Sequence, residues 1–202
     1  MDEEAPQIFG NMDYALKKGV HIQRREEQET WYRFLAKHFD SLRAYYQQFF
    51  GLVLREGGES ITAYYYLDFL PETRGQVPPE SRHFLSNEFV IIGFMLYKIV
   101  YIDQYIELDS LSILKRMIRQ DYEDLKPGLY RTLAKAKNVN TTEVDDDRLD
   151  EIVDKAMKEF AKIGWVALEE ERFDVLPSFQ RLNTIYQDYI NGLDQWLKQE
   201  NQ

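Results

Sequence analysis

Leu52-Val53-Leu54-Arg55-Glu56-Gly57-Gly58-Glu59-Ser60-Ile61-Thr62-Ala63-Tyr64-Tyr65-Tyr66-Leu67 is the stretch on which the fold turns. Two runs of β-formers flank a polar segment with a Gly-Gly turn signal, which predicts a β-hairpin. Upstream, Leu42, Tyr45, Tyr46 and Phe49 recur at helical spacing, with Asp40 placed to cap the helix and Gly51 to end it. Before that, Trp31, Phe34, Leu35 and Phe39 mark another helix. Val20-His21-Ile22 reads as a short extended piece, and a first helix is expected over about Gln7 to Lys18, closed by Gly19. The resulting order is helix, short strand, helix, helix, hairpin. That is the order of a winged helix, a helix-turn-helix with a β-wing.

Downstream the order recurs without sequence similarity. Pro71 to Arg82, with three prolines and a glycine, reads as a linker. A long helix follows, with Leu85, Phe89, Ile92, Leu96 and Ile99 on its stripe and apolar residues nearly all round, as a buried helix requires. Ile106-Glu107-Leu108 is short and extended, and Asp109 is expected to cap a helix carrying Leu111, Leu114, Met117 and Ile118. After a polar stretch with a short helix around Leu129 to Ala136, Leu149 to Ile163 forms a helix closed by Gly164. Trp165 to Leu168 and Arg172 to Val175 form a second hairpin, and Pro177 opens a final helix with Phe179, Leu182, Tyr186, Tyr189, Leu193 and Trp196 on one face. The expected fold is mainly α with small β-hairpins (α+β), as two tandem winged-helix domains at 1–70 and 83–202 joined by the linker 71–82.

Composition bounds the function. Of 202 residues 44% are hydrophobic and 30% charged, and the net charge is −10. A strong nucleic-acid binder usually carries a basic excess, so DNA contact would need a local patch or a larger complex. No cysteine is present, which removes disulfides, Cys-ligated zinc and thiol nucleophiles. The start, Met1-Asp2-Glu3-Glu4, does not read as a signal peptide, and the apolar run Phe89 to Ile102 is too short to span a bilayer. A cytoplasmic protein without a membrane partner is expected.

Chemistry is sparse. Gly57-Gly58 lacks the Lys-Ser/Thr of a phosphate loop, and His21, His38 and His83 lie far apart. Asp145-Asp146-Asp147 lacks the bend glycine of a calcium loop and reads as the acidic start of a helix. No catalytic, cofactor-binding or metal-ligating residue is expected, so the chain reads as a binding protein rather than an enzyme. The candidate DNA contacts are Lys17, Lys18, Arg24, Arg25, Lys37 and Arg43, tempered by Glu26, Glu27 and Glu29. Glu169-Glu170-Glu171, at the second wing's tip, has the wrong sign for phosphate. The candidate protein-interface residues are Tyr64 and Tyr66, on one side of a strand with Tyr65 on the other, and Tyr186 and Tyr189 on the final helix.

Three stretches carry a resemblance: Ile8-Phe9 to Ile22, the hairpin from Phe49-Phe50-Gly51-Leu52 to Tyr64-Tyr65-Tyr66-Leu67-Asp68-Phe69, and Arg172-Phe173 to Leu182. They resemble the MukE/MksE family of accessory subunits of Muk-type bacterial condensins. The resemblance implies tandem winged-helix elements that bind a kleisin subunit and dimerise through the N-terminal domain. It also implies a place, through that kleisin, in a nucleoid-associated complex with an SMC-like ATPase that serves DNA condensation, chromosome segregation or plasmid defence. DNA contact would then be weak or made through the complex. A free-standing winged-helix transcription regulator is the alternative, and it would need a more basic recognition face than this chain offers.

Overall fold

The computed structural model describes residues 5–70, 73 and 75–199. It divides into two units. The first holds residues up to Phe84 together with Lys162–Trp165 and Leu176–Ser178; the second holds Leu85–Ala161, Val166–Val175 and Phe179 onward. Pro71, Glu72 and Arg74 of the expected linker lie outside the described residues.

In the first unit, α1 (Ala5–Lys17) is followed by β1 (Ile22–Gln23), α2 (Glu29–Phe50), β2 (Leu52–Gly57) and β3 (Tyr64–Phe69). The strands form an antiparallel sheet in the order β1-β3-β2, with Ile22 opposite Tyr65 and Leu54 opposite Leu67. Met12 and Leu16 from α1, Leu35, Leu42 and Tyr46 from α2, and Leu52, Leu54, Tyr65 and Leu67 from the sheet fill its core. Each such side chain removed from water stabilises the fold by about 1.5–3 kcal/mol.

Two expected helices are here one. α2 runs through Asp40, so no helix starts there for its carboxylate to cap; the break falls at His38, whose φ of −117° and ψ of 20° leave the helical region and kink the helix into two arms. The hairpin turn is also longer than a two-residue Gly-Gly loop. Gly58 takes φ +72°, and a Cβ there would lie 2.2 Å from the Thr62 carbonyl oxygen. The chain then passes through a 3-10 turn at Ser60–Thr62.

In the second unit, α3 (Asn87–Tyr97) continues into a π-helical turn at Lys98–Ile102. α4 (Leu111–Arg116) likewise runs into a π-turn at Met117–Asp121. Then come α5 (Lys126–Lys137), α6 (Asp146–Lys162), β4 (Val166–Glu169), β5 (Arg172–Val175), α7 (Gln180–Asn191) and α8 (Leu193–Gln199). The long apolar helix is buried over Ile91–Val100, as its all-round hydrophobicity requires. Ser110, not Asp109, stands at the N-cap of α4; the Asp109 carboxylate instead pairs with Arg172 at 3.0 Å. The single helix expected at the end of the sequence is broken twice, at Tyr186 (φ −126°, ψ 29°) and after Asn191. β4 and β5 pair from Val166–Val175 to Glu169–Arg172, and Ser110 bridges Arg172 on the far side of β5.

Candidate interaction surfaces

The candidate cations are not equivalent. The Lys17 ammonium sits 2.8 Å from Asp13 and 3.6 Å above the Phe50 ring, held inside the first unit and turned away from any phosphate. Lys18 lies 4.4 Å over the Tyr14 ring, and Arg25 pairs with Glu27 at 3.6 Å. Arg24, Lys37 and Arg43 are exposed. On the second arm of α2, Arg43 shares its open face with Ala44, Gln47 and Gln48. Lys37 lies on the first arm, so the kink at His38 separates the two cations. Arg55 pairs with Asp68 across the sheet at 3.0 Å.

Tyr64 and Tyr66 do not form the aromatic surface that strand alternation predicts. They are 4% and 9% exposed, and Tyr65 on the opposite face is 4% exposed. Tyr65 packs against Tyr32 and Phe39 at 5.2 and 5.6 Å between centroids. Burial, and then the nearby Glu56, push its phenol up to about 12. The other face is roofed by His21, whose ring lies 5.9 Å from Tyr64, 5.5 Å from Tyr66 and 6.1 Å from Trp165. Tyr64 in turn covers Gly57, its cross-strand partner, where a Cβ would lie 2.4 Å from the ring. Both faces of β3 are therefore core, and these two tyrosines are spent inside the first unit.

A buried polar network fixes that roof. His21 Nδ1 lies 2.8 Å from the Ile163 carbonyl oxygen, so the proton sits on Nδ1 and the ring donates. Gln23 donates from Nε2 to the Gly164 carbonyl at 2.6 Å and accepts at Oε1 from the Ser178 amide at 3.0 Å. The Ser178 hydroxyl donates to the same Gly164 carbonyl at 2.5 Å. His21, Gln23 and Ser178 are 2% exposed or less. Burial without partners would cost each of them kilocalories, and here each has a partner.

In the second unit, Tyr189 is 57% exposed and stacks on Phe94 at 6.3 Å, while Tyr186 is half-buried and meets Phe94 edge-on at 5.3 Å. Tyr189 thus offers a face outward and Tyr186 mostly supports it. Asp145 accepts from the Arg148 amide at 2.8 Å, the capping contact expected of an acidic helix start. Asp146 is held below the usual carboxylate range by Lys126 first and Tyr130 second. Among the described residues no group of three or more histidine and carboxylate side chains is arranged to hold a metal ion, and no helix is long and apolar enough to cross a membrane.

Exposed apolar residues that the sequence reading missed include Ile61 at the first hairpin's turn and the stretch around Ile106. Periodicity is a poor guide there, because both lie between regular elements.

With this arrangement in view, comparison with known families is decisive. Residues 7–185 match the family described as condensin complex protein MksE. The chain belongs to the MksE family. The match covers both hairpins, α1 from Gln7, α2 to α6 in full and the first half of α7, and leaves out α8. No curated protein matches the chain. MksE membership makes the chain an accessory subunit of a condensin complex, working within an SMC-like assembly, and it agrees with the lack of catalytic motifs in the sequence.

Proposed function

We propose that this MksE-family chain is a non-catalytic, cytoplasmic, nucleoid-associated subunit that grips the kleisin of a Muk/Mks-type condensin. Through the kleisin it joins the SMC-like ATPase and supports DNA condensation, chromosome segregation or plasmid defence. The observation that carries this reading is the family match over residues 7–185.

The architecture supports it. In each unit an early segment pairs with the last strand of a later hairpin: β1 with β3 in the first, Ser110 with β5 in the second. Helices separate that segment from the hairpin in both. We read this repeated order as two tandem winged-helix domains, at 1–70 and 83–202 about the linker 71–82. The chain acts as a homodimer through the first of them. Of the candidate cations Arg24, Lys37 and Arg43 are left open to DNA, and of the candidate tyrosines Tyr189, propped by Tyr186, is left open to protein.

Co-expression with the kleisin of the same cell tests the reading. Retention of the kleisin through purification at moderate salt is expected. Tight binding to a single operator sequence with no kleisin retained would instead make the chain a transcription regulator. For DNA held by the assembled complex, Arg43→Ala is expected to shallow the slope of log K against log salt by about 0.9, the loss of one phosphate contact. Lys17→Ala is expected to leave the slope unchanged, since that ammonium is already committed to Asp13 and Phe50.

A further inference from the structure

Lys98 is a buried cation, 8% exposed, inside the π-turn that ends α3. Its ammonium stands 3.3 Å from Asp103, 3.2 Å from Asp194 of α8 and 5.6 Å from the centre of the Tyr122 ring. Asp103 also accepts a hydrogen bond from the Tyr122 hydroxyl. Burial first, and then that bond, push the Tyr122 phenol up, so it stays protonated and donates. A charge kept this far from water has to be paired, and the pairing here draws three parts of the second unit to one point.

Asp103 and Tyr122 hold matching places. Each closes a π-turn. The Asp103 amide donates to the Lys98 carbonyl at 2.9 Å, and the Tyr122 amide donates to the Met117 carbonyl at 3.2 Å. Such turns are rare inside helices and gather at functional sites. In this unit the residues that close the two turns are bonded to each other through their side chains.

A loop hangs between the turns. It begins with Gln104 at φ +62°, a left-handed conformation uncommon for a residue with a side chain. The Tyr105 amide then donates to Ile99 at 3.0 Å and the Leu108 amide to Tyr105 at 3.1 Å. Together with Met117, the first residue of the second π-turn, this loop lines a groove of about 450 Å³. Irregular backbone of this kind persists only where the surrounding structure over-determines it. The contacts that do so for both turns meet at Asp103.

We propose that Lys98, Asp103 and Tyr122 form a pin that couples the two π-turns and holds the groove at residues 104–117 in shape. With the pin broken, the turns rewind toward the ordinary helical winding. Rewinding the first turn returns one residue to the loop behind it, and Tyr105 and Ile106 lose their fixed places. The two windings differ by a whole residue of register, so the change is discrete rather than gradual.

Amide hydrogen exchange in the full chain, read residue by residue by NMR, tests the coupling. Tyr122→Phe keeps the ring and removes the hydroxyl. It is expected to speed exchange roughly tenfold at the Asp103 amide as well as at its own, about what one hydrogen bond to a charged group is worth. Exchange at Val153 in α6 is expected to stay as it was. Tyr130→Phe, which removes a second tyrosine–aspartate bond in the same unit, is expected to leave both turns unchanged. Faster exchange confined to residue 122 and its own turn, or none at all, would overturn the coupling. Lys98→Met is expected to act on both turns alike; should it fail to fold, Asp103→Asn takes its place with the same expectation at the Tyr122 amide. The groove is read separately. The chain has no cysteine of its own, so Ile106→Cys carries a nitroxide label at a single place. Its spectrum is expected to sharpen when Tyr122→Phe is added, and an unchanged spectrum would overturn the pin's hold on the groove.

Discussion

The two units solve the same pairing problem by different means. In the first, β1 is locked on both sides: its backbone pairs with β3, and its Gln23 side chain, with that of neighbouring His21, is bonded to Ile163, Gly164 and Ser178. In the second, the equivalent early segment touches β5 through one bridge at Ser110, reinforced by the Leu111 amide donating to Glu171 at 2.9 Å and the Phe173 amide donating to Asp109 at 2.8 Å. One early strand is held by buried side chains from far along the chain, the other by backbone bonds and the exposed Asp109–Arg172 ion pair. The lesson is that the same strand order can carry its stability in different places. Beside that lighter anchoring the side chains of Ile102, Tyr105, Ile106 and Ile113 stay exposed.

The largest expected effect tests the packing of the second unit. Gly128 in α5 passes so close to α8 that a Cβ would lie 1.9 Å from the Leu197 carbonyl oxygen. That neighbour is backbone and cannot swing aside. Gly128→Ala is expected to cost about 3 kcal/mol, a fall in melting temperature of roughly 6–12 °C for a chain of this size, read by calorimetry. A melt within a degree of the unaltered chain would contradict the contact.

The contrast in anchoring predicts an asymmetry next. Gln23→Leu strands the Ser178 amide and takes one donor from the Gly164 carbonyl, and is expected to cost about 2 kcal/mol. Ser110→Ala, at the matching place in the second unit, removes a side chain that the bridge does not use and is expected to stay within about 0.5 kcal/mol. Equal losses in urea melts would erase the distinction between the units. Gly164→Ala sharpens it from the other side of the network. The position has φ +79°, and a Cβ would lie 2.9 Å from the His21 carbonyl oxygen, so a loss of about 1–2 kcal/mol is expected.

The smallest effect is electrostatic. Asp146 and Asp124, both in the second unit, are held below their ordinary range by Lys126 and Lys198 respectively. A lowered carboxyl contributes stability above its unfolded value and loses it as the pH falls through the carboxylate range. Asp150 runs the other way, because burial raises it and ionising it works against the fold. Both lowered groups are well exposed to solvent, so Asp146→Asn is expected to flatten the acid limb of the stability curve only slightly. An unchanged curve between about pH 5 and 3 would show that the Lys126 contact adds nothing.

Much of the fold was legible in the sequence because local signals set it. The first hairpin, the early strand of the first unit and the long buried helix follow from period and punctuation, whereas the extended piece expected at Ile106-Glu107-Leu108 is a turn closed by the Leu108 amide on Tyr105, and the bridge to β5 falls later, at Ser110. Local signals misplaced the breaks. Asp40 is a good cap, yet the kink falls at His38, and Tyr186 interrupts a helix whose apolar spacing runs on unbroken. The candidate sites were harder to read, because what covers a side chain comes from elsewhere. Strand alternation correctly put Tyr64 and Tyr66 on the face opposite Tyr65, but their roof is His21, itself backed by Trp165 from far along the chain. Lys17 looked like a phosphate ligand until its ring and carboxylate partners were placed. Ile106 carried no periodic signal, since a π-turn and a left-handed Gln104, neither of which the sequence marks, set its exposure.

The most direct test of the central claim is the mass in solution, by light scattering, of the purified chain alone and mixed with the kleisin of its own cell. The account predicts a dimer that moves into a larger, stable complex when the kleisin is added. A monomer that elutes apart from the kleisin at micromolar concentration would contradict it.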